Sequence, residues 1–499
     1  MKKSKKVLFV VSLVIVVLIC IAFTRRSFQN DTFYTIKVGE SIVKNGIDMK
    51  DHFSWHSLSY TYPHWLYDII IYKIYNSFDF NGLYIFNIVC FMMIGITFYL
   101  VNIRLNRSYF LSLLFSILGM IMLAGYATTR AQLFTYFLFI LEIYFIERLL
   151  ASSKKIYGFM LLGICLLVAN FHAAVWPFYF ILMLPYFFEK IVYVISRKFK
   201  LNFGNSNSIF SRKLIIENSN LKILGIVFII SLFIGMLTPI GDVPYTYFIK
   251  IFQGNTMDYI EEHQPLVLIK DAFVIGYIIM MLTCLIFTKV KIKVTDIVMM
   301  IGLLFMSFLS IRHISFLAVI GGFYLCRLLC NVGYINGNDV IDFDLPVIGS
   351  VIVMATLVVT CYFVYNINFK DDYVDSSVYP VEMVDYMNAN LRMDDVKLYN
   401  EYNFGSYLIF KDIKVYIDSR SDLYTKPFNG KSDIFDECMN ITTNYGRVFN
   451  KYHITHILTY KTTYLSQILT ASPNYKVIHK EGEFVLFEYL KSGYSEANE

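Results

Sequence analysis

Charge is scarce in this chain. Of its 499 residues only 16% are Asp, Glu, Lys or Arg, and 57% are hydrophobic, where a soluble globular protein carries about 25% charged residues. Apolar runs recur near the roughly 20 residues needed to cross a bilayer. A soluble enzyme, a disordered protein and a secreted disulfide scaffold are thereby excluded, and a polytopic membrane protein is indicated. Cysteine is nearly missing from the polar segments. Seven of the eight (Cys20, Cys90, Cys165, Cys284, Cys326, Cys330 and Cys361) fall in apolar runs, and Cys438 alone lies in a polar region. No CxxC pair or Cys/His zinc spacing occurs, so these are expected to be small buried hydrophobes rather than a disulfide framework. There is no short-period repeat and no low-complexity tract. The net charge of +6 is no nucleic-acid footprint, because much of the basic excess flanks apolar segments, where Lys and Arg set membrane orientation.

What is present organises the chain. Four lysines in the first six residues precede an apolar run over 7–24 that lacks a small-residue cleavage site before Arg25 and Arg26, so it is expected to be an uncleaved first span with a cytoplasmic N-terminus. Further spans are expected at about 82–102, 108–127, 131–149, 156–174, 176–195, 223–239, 268–288, 294–312, 314–331 and 346–366, about 11 transmembrane helices with the first. Alternation then gives the N-terminal head and inner connections nineteen basic residues, among them Lys200, Arg212, Lys213, Lys289, Lys293 and Arg327, and the outer segments before the tail ten, as the positive-inside rule requires. Residues 1–366 are expected to form the transmembrane domain. Within it, 25–81 is a long, aromatic and His-rich first extracytoplasmic loop whose second half is amphipathic enough to lie along the membrane surface. Residues 367–499 turn polar, with the strand-like runs "DVKLYN", "SYLIF", "IKVYID", "HILTY" and "FVLFEY", which predicts an extracytoplasmic soluble α/β domain.

Ionisable residues at span ends are expensive, and seven residues in six short segments stand out. They are Asp31 after the first span, His64 in "YPHWLYD", Arg130 in "TTRAQLF", His172 in "ANFHAAVW", Glu262 in "YIEEHQP", and Arg312 with His313 in "SIRHISF". The expected topology puts all of them on the outer face. Arg130 and Arg312 oppose the positive-inside tendency in very short connections. An Asp can take a proton from a hydroxyl, and Arg matches phosphate oxygens through its fork of donors. A leaving group carrying phosphate needs such neutralisation as its bond breaks. The combination suits sugar transfer from a lipid phosphate carrier. Each residue also has a plainer reading: Asp31 as the N-cap of a loop helix, the arginines as snorkelling or paired with Glu262, and the histidines as satisfied interface residues. The residues fix no cofactor. A divalent cation on Asp31, Asp51, His52 or His56 stays open, since their spacing is not diagnostic.

The long first outer loop beginning at an acidic residue, followed by "DHFSWH" and "PHWLYD", resembles the GT-C class of integral-membrane glycosyltransferases, which includes protein mannosyltransferases, lipid A aminoarabinose transferases and oligosaccharyltransferase catalytic subunits. More narrowly, "DTFYTIK", "HWLYD", "RAQLF", "ANFH", "RHISF", "NEYNFGSYLI" and "IDSRSDLY" resemble, in order, the elements of an uncharacterised bacterial group within that class. Two positions depart from its pattern, Ala131 standing where that group has Pro and His263 where it has Trp. The resemblance implies that Asp31 deprotonates an acceptor hydroxyl, which attacks the anomeric carbon with inversion as polyprenyl phosphate leaves. His64, Arg130, His172 and Arg312, with His313 and Glu262 beside them, would bind donor phosphate or sugar. Asn400, Tyr402, Gly405, Tyr407, Asp418, Arg420 and Asp422 would help hold the acceptor, an envelope glycan, lipid or protein. For that tail motif the residues themselves offer another reading: Gly405 suits a tight turn, and Asp418 with Arg420 suits an ion pair on one strand face. Two rival functions stay open at this point: a transporter or flippase for a lipid-linked envelope precursor, and a non-catalytic plasma-membrane scaffold whose outer domain binds partners.

Overall fold

The structure, a computed structural model, describes residues 3–152, 154–199, 218–288, 290–332, 347–365 and 372–490. Lys200, Arg212, Lys213, Lys289 and most of the basic 196–222 loop lie outside the described residues. Contacts divide the chain into two units: Met1–Arg25, Tyr84–Phe248 and Ile260–Phe369 form the first, and Arg26–Leu83, Ile249–Tyr259 and Lys370–Glu499 the second.

The first unit is a bundle of apolar helices. Among the described residues, four helices are long and apolar enough to cross a membrane, over Lys6–Phe23, Trp65–Asn106, Ala173–Lys198 and Ile311–Val332. Shorter apolar helices include Tyr109–Met122, Ile156–Phe171, Ala272–Phe287 and Val294–Leu309. Helix is the form these runs take because in lipid every backbone N–H and C=O must be bonded within its own segment. The bundle is apolar outside as well as inside. Phe159, Phe233 and Phe287 are each more than 60% exposed, while Phe134 stacks on Phe171 at 4.6 Å and Phe178 on Phe316 at 5.5 Å within the core. The chain is a multi-pass membrane protein.

Two departures from regular helix matter. Trp65–Asn106 is broken at Asp79, whose backbone is left-handed (φ 54°). The Asp79 carboxylate accepts from Phe80 N at 2.8 Å, which occupies one of the backbone donors freed where the second helical segment starts. The break separates the amphipathic 65–78 segment from the apolar run expected to begin at 82. A π-helical turn over Leu317–Gly321 follows the Arg312–His313 turn after the short helical segment Ile314–Phe316. Arg327, grouped above with the inner connections, is instead buried in the helix Gly322–Val332. It donates to Asp296 at 2.8 Å and Glu147 at 3.0 Å, so it serves a buried ion network and not the orientation of a loop.

The second unit joins the first loop to the tail. Its four-stranded sheet has the order β1 (Leu398–Asn400), β2 (His456–Tyr460), β4 (Phe484–Tyr489), β3 (Tyr475–Glu481), with β1–β2 parallel and the other pairs antiparallel. "HILTY" and "FVLFEY" are strands as expected, and "DVKLYN" ends in one. "SYLIF" is not a strand: it lies in a buried helix, Gly405–Phe410. "IKVYID" is extended but makes only an isolated bridge, Ser54 with Val415. Short apolar runs buried on all sides carry no period that separates the two forms. The loop helix Asn30–Asn45 packs on Gly405–Phe410, with Phe33 edge-on to Tyr407 at 5.3 Å and Tyr379 at 4.9 Å.

Candidate functional site

In the first unit the chain builds a cationic locus from three short turns between apolar helices. Asn87 donates to the Thr129 hydroxyl at 3.0 Å, fixing the turn that carries Arg130. Arg130 Nη1 reaches Glu262 Oε1 at 3.3 Å. Glu262 belongs to the turn Glu261–His263, which is stitched to the turn Ile311–His313 by backbone bonds. Ile311 N donates to Gln264 O at 3.0 Å, Leu266 N to Phe308 O at 3.2 Å, and the Ser310 hydroxyl to Glu262 O at 3.0 Å. Arg312 Nη1 lies 3.2 Å from His263 Nε2, and its Nε and Nη2 donate to the amide oxygen of Gln132, the former at 3.0 Å. Burial, and then the neighbouring Arg312, push the His263 imidazole down to about 4. At neutral pH it is therefore uncharged and accepts from the guanidinium.

His263 and Gln132 hold Arg312, and neither was singled out by sequence. Gln132 lay in the quoted "RAQLF" run; His263 stood out only as a departure from a pattern. His313 donates through Nδ1 to Met306 O at 2.9 Å and packs on Phe178, which ties it to the helix end behind the turn. His172, buried at the C-cap of Ile156–Phe171, shares a hydrogen bond of 2.8 Å with Thr135.

In the second unit, Asp31 lies in the first turn of Asn30–Asn45, where a carboxylate is favoured by the helix dipole. It is not the N-cap: that position is Gln29, whose side chain makes no cap bond. Asn30 donates to Tyr402 O at 3.1 Å, tying the helix start to the tail motif. Burial first, and then the Asp31 charge, hold the phenols of Tyr402 and Tyr379 protonated well above their ordinary range. Asp31 and Tyr402 are thus brought together from opposite ends of the chain. His64 donates from Nδ1 to the buried Asp68 carboxylate at 2.9 Å, with the Tyr34 hydroxyl 3.4 Å from Nε2. Asp68 fixes the ring orientation, as carboxylates commonly do for functional histidines. It too was missed, although the i,i+4 spacing of "HWLYD" shows it. The backbone at Asp68 is reached by Gly39, where a Cβ would sit 2.0 Å from Asp68 O.

The rest of the tail motif is built inward. Asn400 donates to Ile417 O at 2.8 Å and accepts from Tyr416 N at 2.9 Å. Gly405 does not make the tight turn expected of it. It opens a helix with ordinary φ, and its role is close approach, since a Cβ there would meet Ile417 O at 2.0 Å. Asp418 accepts from Arg420 Nε at 2.8 Å and Nη2 at 2.7 Å, and from the Tyr424 hydroxyl. Arg420 Nη1 also pairs with Asp51 at 2.8 Å, and its guanidinium lies over Phe53 and Tyr60. Asp418 and Arg420 do pair, though not on a strand. Burial would raise the Asp51 carboxyl, but Arg420 and the bonds from Ser54 hold it below the usual range. Asp422 lies in the following turn, Ser421–Tyr424. His56 lies 2.8 Å from Tyr416 O, and burial pushes its imidazole down to about 4. His52 pairs with Asp48 at 2.7 Å. Among the described residues no group of three or more His, Cys, Asp or Glu side chains is placed to hold a metal ion.

No protein family and no curated protein sequence matches the chain. Solved structures do. The Archaeoglobus fulgidus oligosaccharyltransferase tethered to an acceptor peptide containing the NVT sequon aligns with 92% of this chain and 69% of its own, at 10% identity and a TM-score of 0.55. The archaeal oligosaccharyltransferase AglB from Archaeoglobus fulgidus, in complex with an inhibitory peptide and a dolichol-phosphate, aligns with 99% of this chain and 75% of its own, at 11% identity and a TM-score of 0.58. The architecture is therefore GT-C-like, a mostly helical membrane fold with a small C-terminal sheet.

Proposed function

We propose that the protein is a membrane glycosyltransferase that moves a sugar from a polyprenyl-phosphate carrier to a cell-envelope acceptor on the extracytoplasmic face. The observation that carries this reading is the cationic locus of the first unit, where Arg312 on its stitched turn and Arg130, ion-paired to that assembly through Glu262, both stand at the ends of apolar helices, where a cation is costly unless it has a use. The fold is consistent with it, and one structural neighbour holds a dolichol-phosphate and the other a tethered acceptor peptide. In this reading Arg130 and Arg312 take the donor phosphate, with His64 and His172 on phosphate or sugar and Glu262 and His313 as their supports. Asp31 accepts the proton of the acceptor hydroxyl as its oxygen bonds to the anomeric carbon. The sugar–phosphate bond breaks with inversion, and the charge gathering on the phosphate is met by the two guanidinium groups. Eleven spans, a cytoplasmic N-terminus and an extracytoplasmic 367–499 domain complete the proposal.

The experiment is incubation of the purified protein with a panel of polyprenyl-phosphate sugars and envelope extract, with products read by mass spectrometry. A glycosylated product from the native chain, reduced at least about a hundredfold by Asp31→Asn, is expected. Lipid movement with no covalent product would replace the reading with a flippase. Unaltered transfer by a correctly inserted Asp31→Asn would remove Asp31 as the base.

A further inference from the structure

The second unit contains a cleft lined by Trp55 of the first loop and by tail residues between 393 and 489, with a volume of about 950 Å³, at the upper end of the roughly 300–1,000 Å³ of small-molecule sites. One wall is aromatic: Phe449, Tyr475 and Tyr489 line it, with the two tyrosine rings 5.3 Å apart and Phe449 6.3 Å from Tyr475. The polarity of the cleft comes from Asp394, Asp395, Lys397, Asp412 and Lys414. Two of these charges are engaged locally. Asp412 pairs with Lys37 at 2.7 Å, and the Lys397 ammonium sits 4.8 Å from the Trp55 ring centre.

That lining selects by chemistry. Acids and lysines nearly balance, and no arginine occurs among the lining residues, so neither a phosphorylated ligand nor a polycation is favoured. The charged rim excludes a lipid tail. Strand addition of a peptide at the β1 edge is hindered, because Leu398 O already accepts the Trp55 indole N–H at 3.2 Å. A sugar fits both kinds of lining. The C–H face of a pyranose packs on the electron-rich face of an aromatic ring, and its hydroxyls both donate and accept, as mixed carboxylate and ammonium partners require.

We infer that this cleft binds a short neutral oligosaccharide, making the second unit a glycan-recognition module. The inference concerns binding and goes beyond sugar transfer, which it does not need. It is tested with the full chain in lipid nanodiscs against arrays of neutral, amino and uronic-acid oligosaccharides and a random peptide array. Neutral glycans are expected to bind, Tyr475→Ala to weaken them about tenfold, and Tyr475→Phe to leave them bound. The rim pair Asp394→Asn with Lys414→Met, on exposed positions, is expected to weaken them severalfold and decides the matter if Tyr475→Ala does not fold. Asp31→Asn is expected to keep glycan binding, so loss of transfer and loss of the cleft are read separately. Binding only of acidic glycans or peptides, no binding at all, or neutral-glycan binding untouched by the folded cleft variants would overturn the inference.

Discussion

Replacing Arg420 by Met is the sharpest structural test. Its guanidinium donates twice to Asp418 and forms an ion pair with Asp51, all within 2.8 Å, and side-chain exposure is 3% for Arg420 and 0% for both acids. Methionine fills much of the volume but strands two buried carboxylates. Breaking such a pair from one side costs about 3–5 kcal/mol, roughly 10 °C in melting temperature for a unit of this size. The sign of the pH dependence follows from the acids. In the native chain Asp51 is held below its ordinary value of 3.8, so its contribution is complete above that value and is lost only as pH falls through its folded value. In the variant the stranded Asp51 carboxylate is neutralised by a proton instead, so the deficit shrinks as pH falls. Thermal unfolding of the detergent-solubilised protein at about pH 7.5 and about pH 4.5 reads both effects. Adding Asp51→Asn and Asp418→Asn to Arg420→Met is expected to recover part of the loss. A single variant melting within about 2 °C of the native chain at neutral pH would refute the reasoning.

Four further outcomes are expected. Gly405→Ala forces a Cβ to 2.0 Å from Ile417 O and should cost about 1–3 kcal/mol or more, read as a lowered melting temperature. Arg312→Ala or Arg130→Ala should lower donor-dependent transfer about 10²–10³-fold while the protein still inserts and folds. Asp68→Asn should lower transfer with less effect than His64→Ala, because it misorients the ring without removing it; equal melting temperatures with native transfer would refute the positioning role. His263 has a folded-state value of about 4 against 6.5 in the open chain. Between those values the unfolded chain carries the proton, so stability falls as pH drops across that window, and donor binding should fail near pH 4. His263→Gln, which still accepts from Arg312, should remove the acid loss of donor binding and lessen the stability loss, to which His56, also pushed down to about 4, contributes in the same window.

The membrane helices were legible because lipid imposes one structure on long apolar runs, and the ranges read as spans fall on helices. The tail was legible where alternation was clean: β2 and β4 coincide with "HILTY" and "FVLFEY". It failed at "SYLIF", where Phe33 and Tyr379 bury the run from outside its own sequence. Of the candidate residues, those at span ends announced themselves by being costly there. Their supports did not: Gln132 and Asp68 are ordinary residues until the fold sets Arg312 and His64 beside them. The partnership of Asp51 with Arg420 spans most of the chain, a distance over which no local pattern carries information.

The second unit draws its interior from both extremities of the polypeptide. His56 and its partner Tyr416 are 360 residues apart, which at about 5–20 residues per second corresponds to roughly 20–70 s of synthesis. Throughout that interval Phe33, Trp55 and the Asp51 carboxylate have been made but lack the aromatic and cationic neighbours that later enclose them. A nascent chain stalled before residue 420 would therefore display a sticky aromatic loop with an uncompensated Asp51 to every chaperone and protease within reach, and only a finished translation product can hide it.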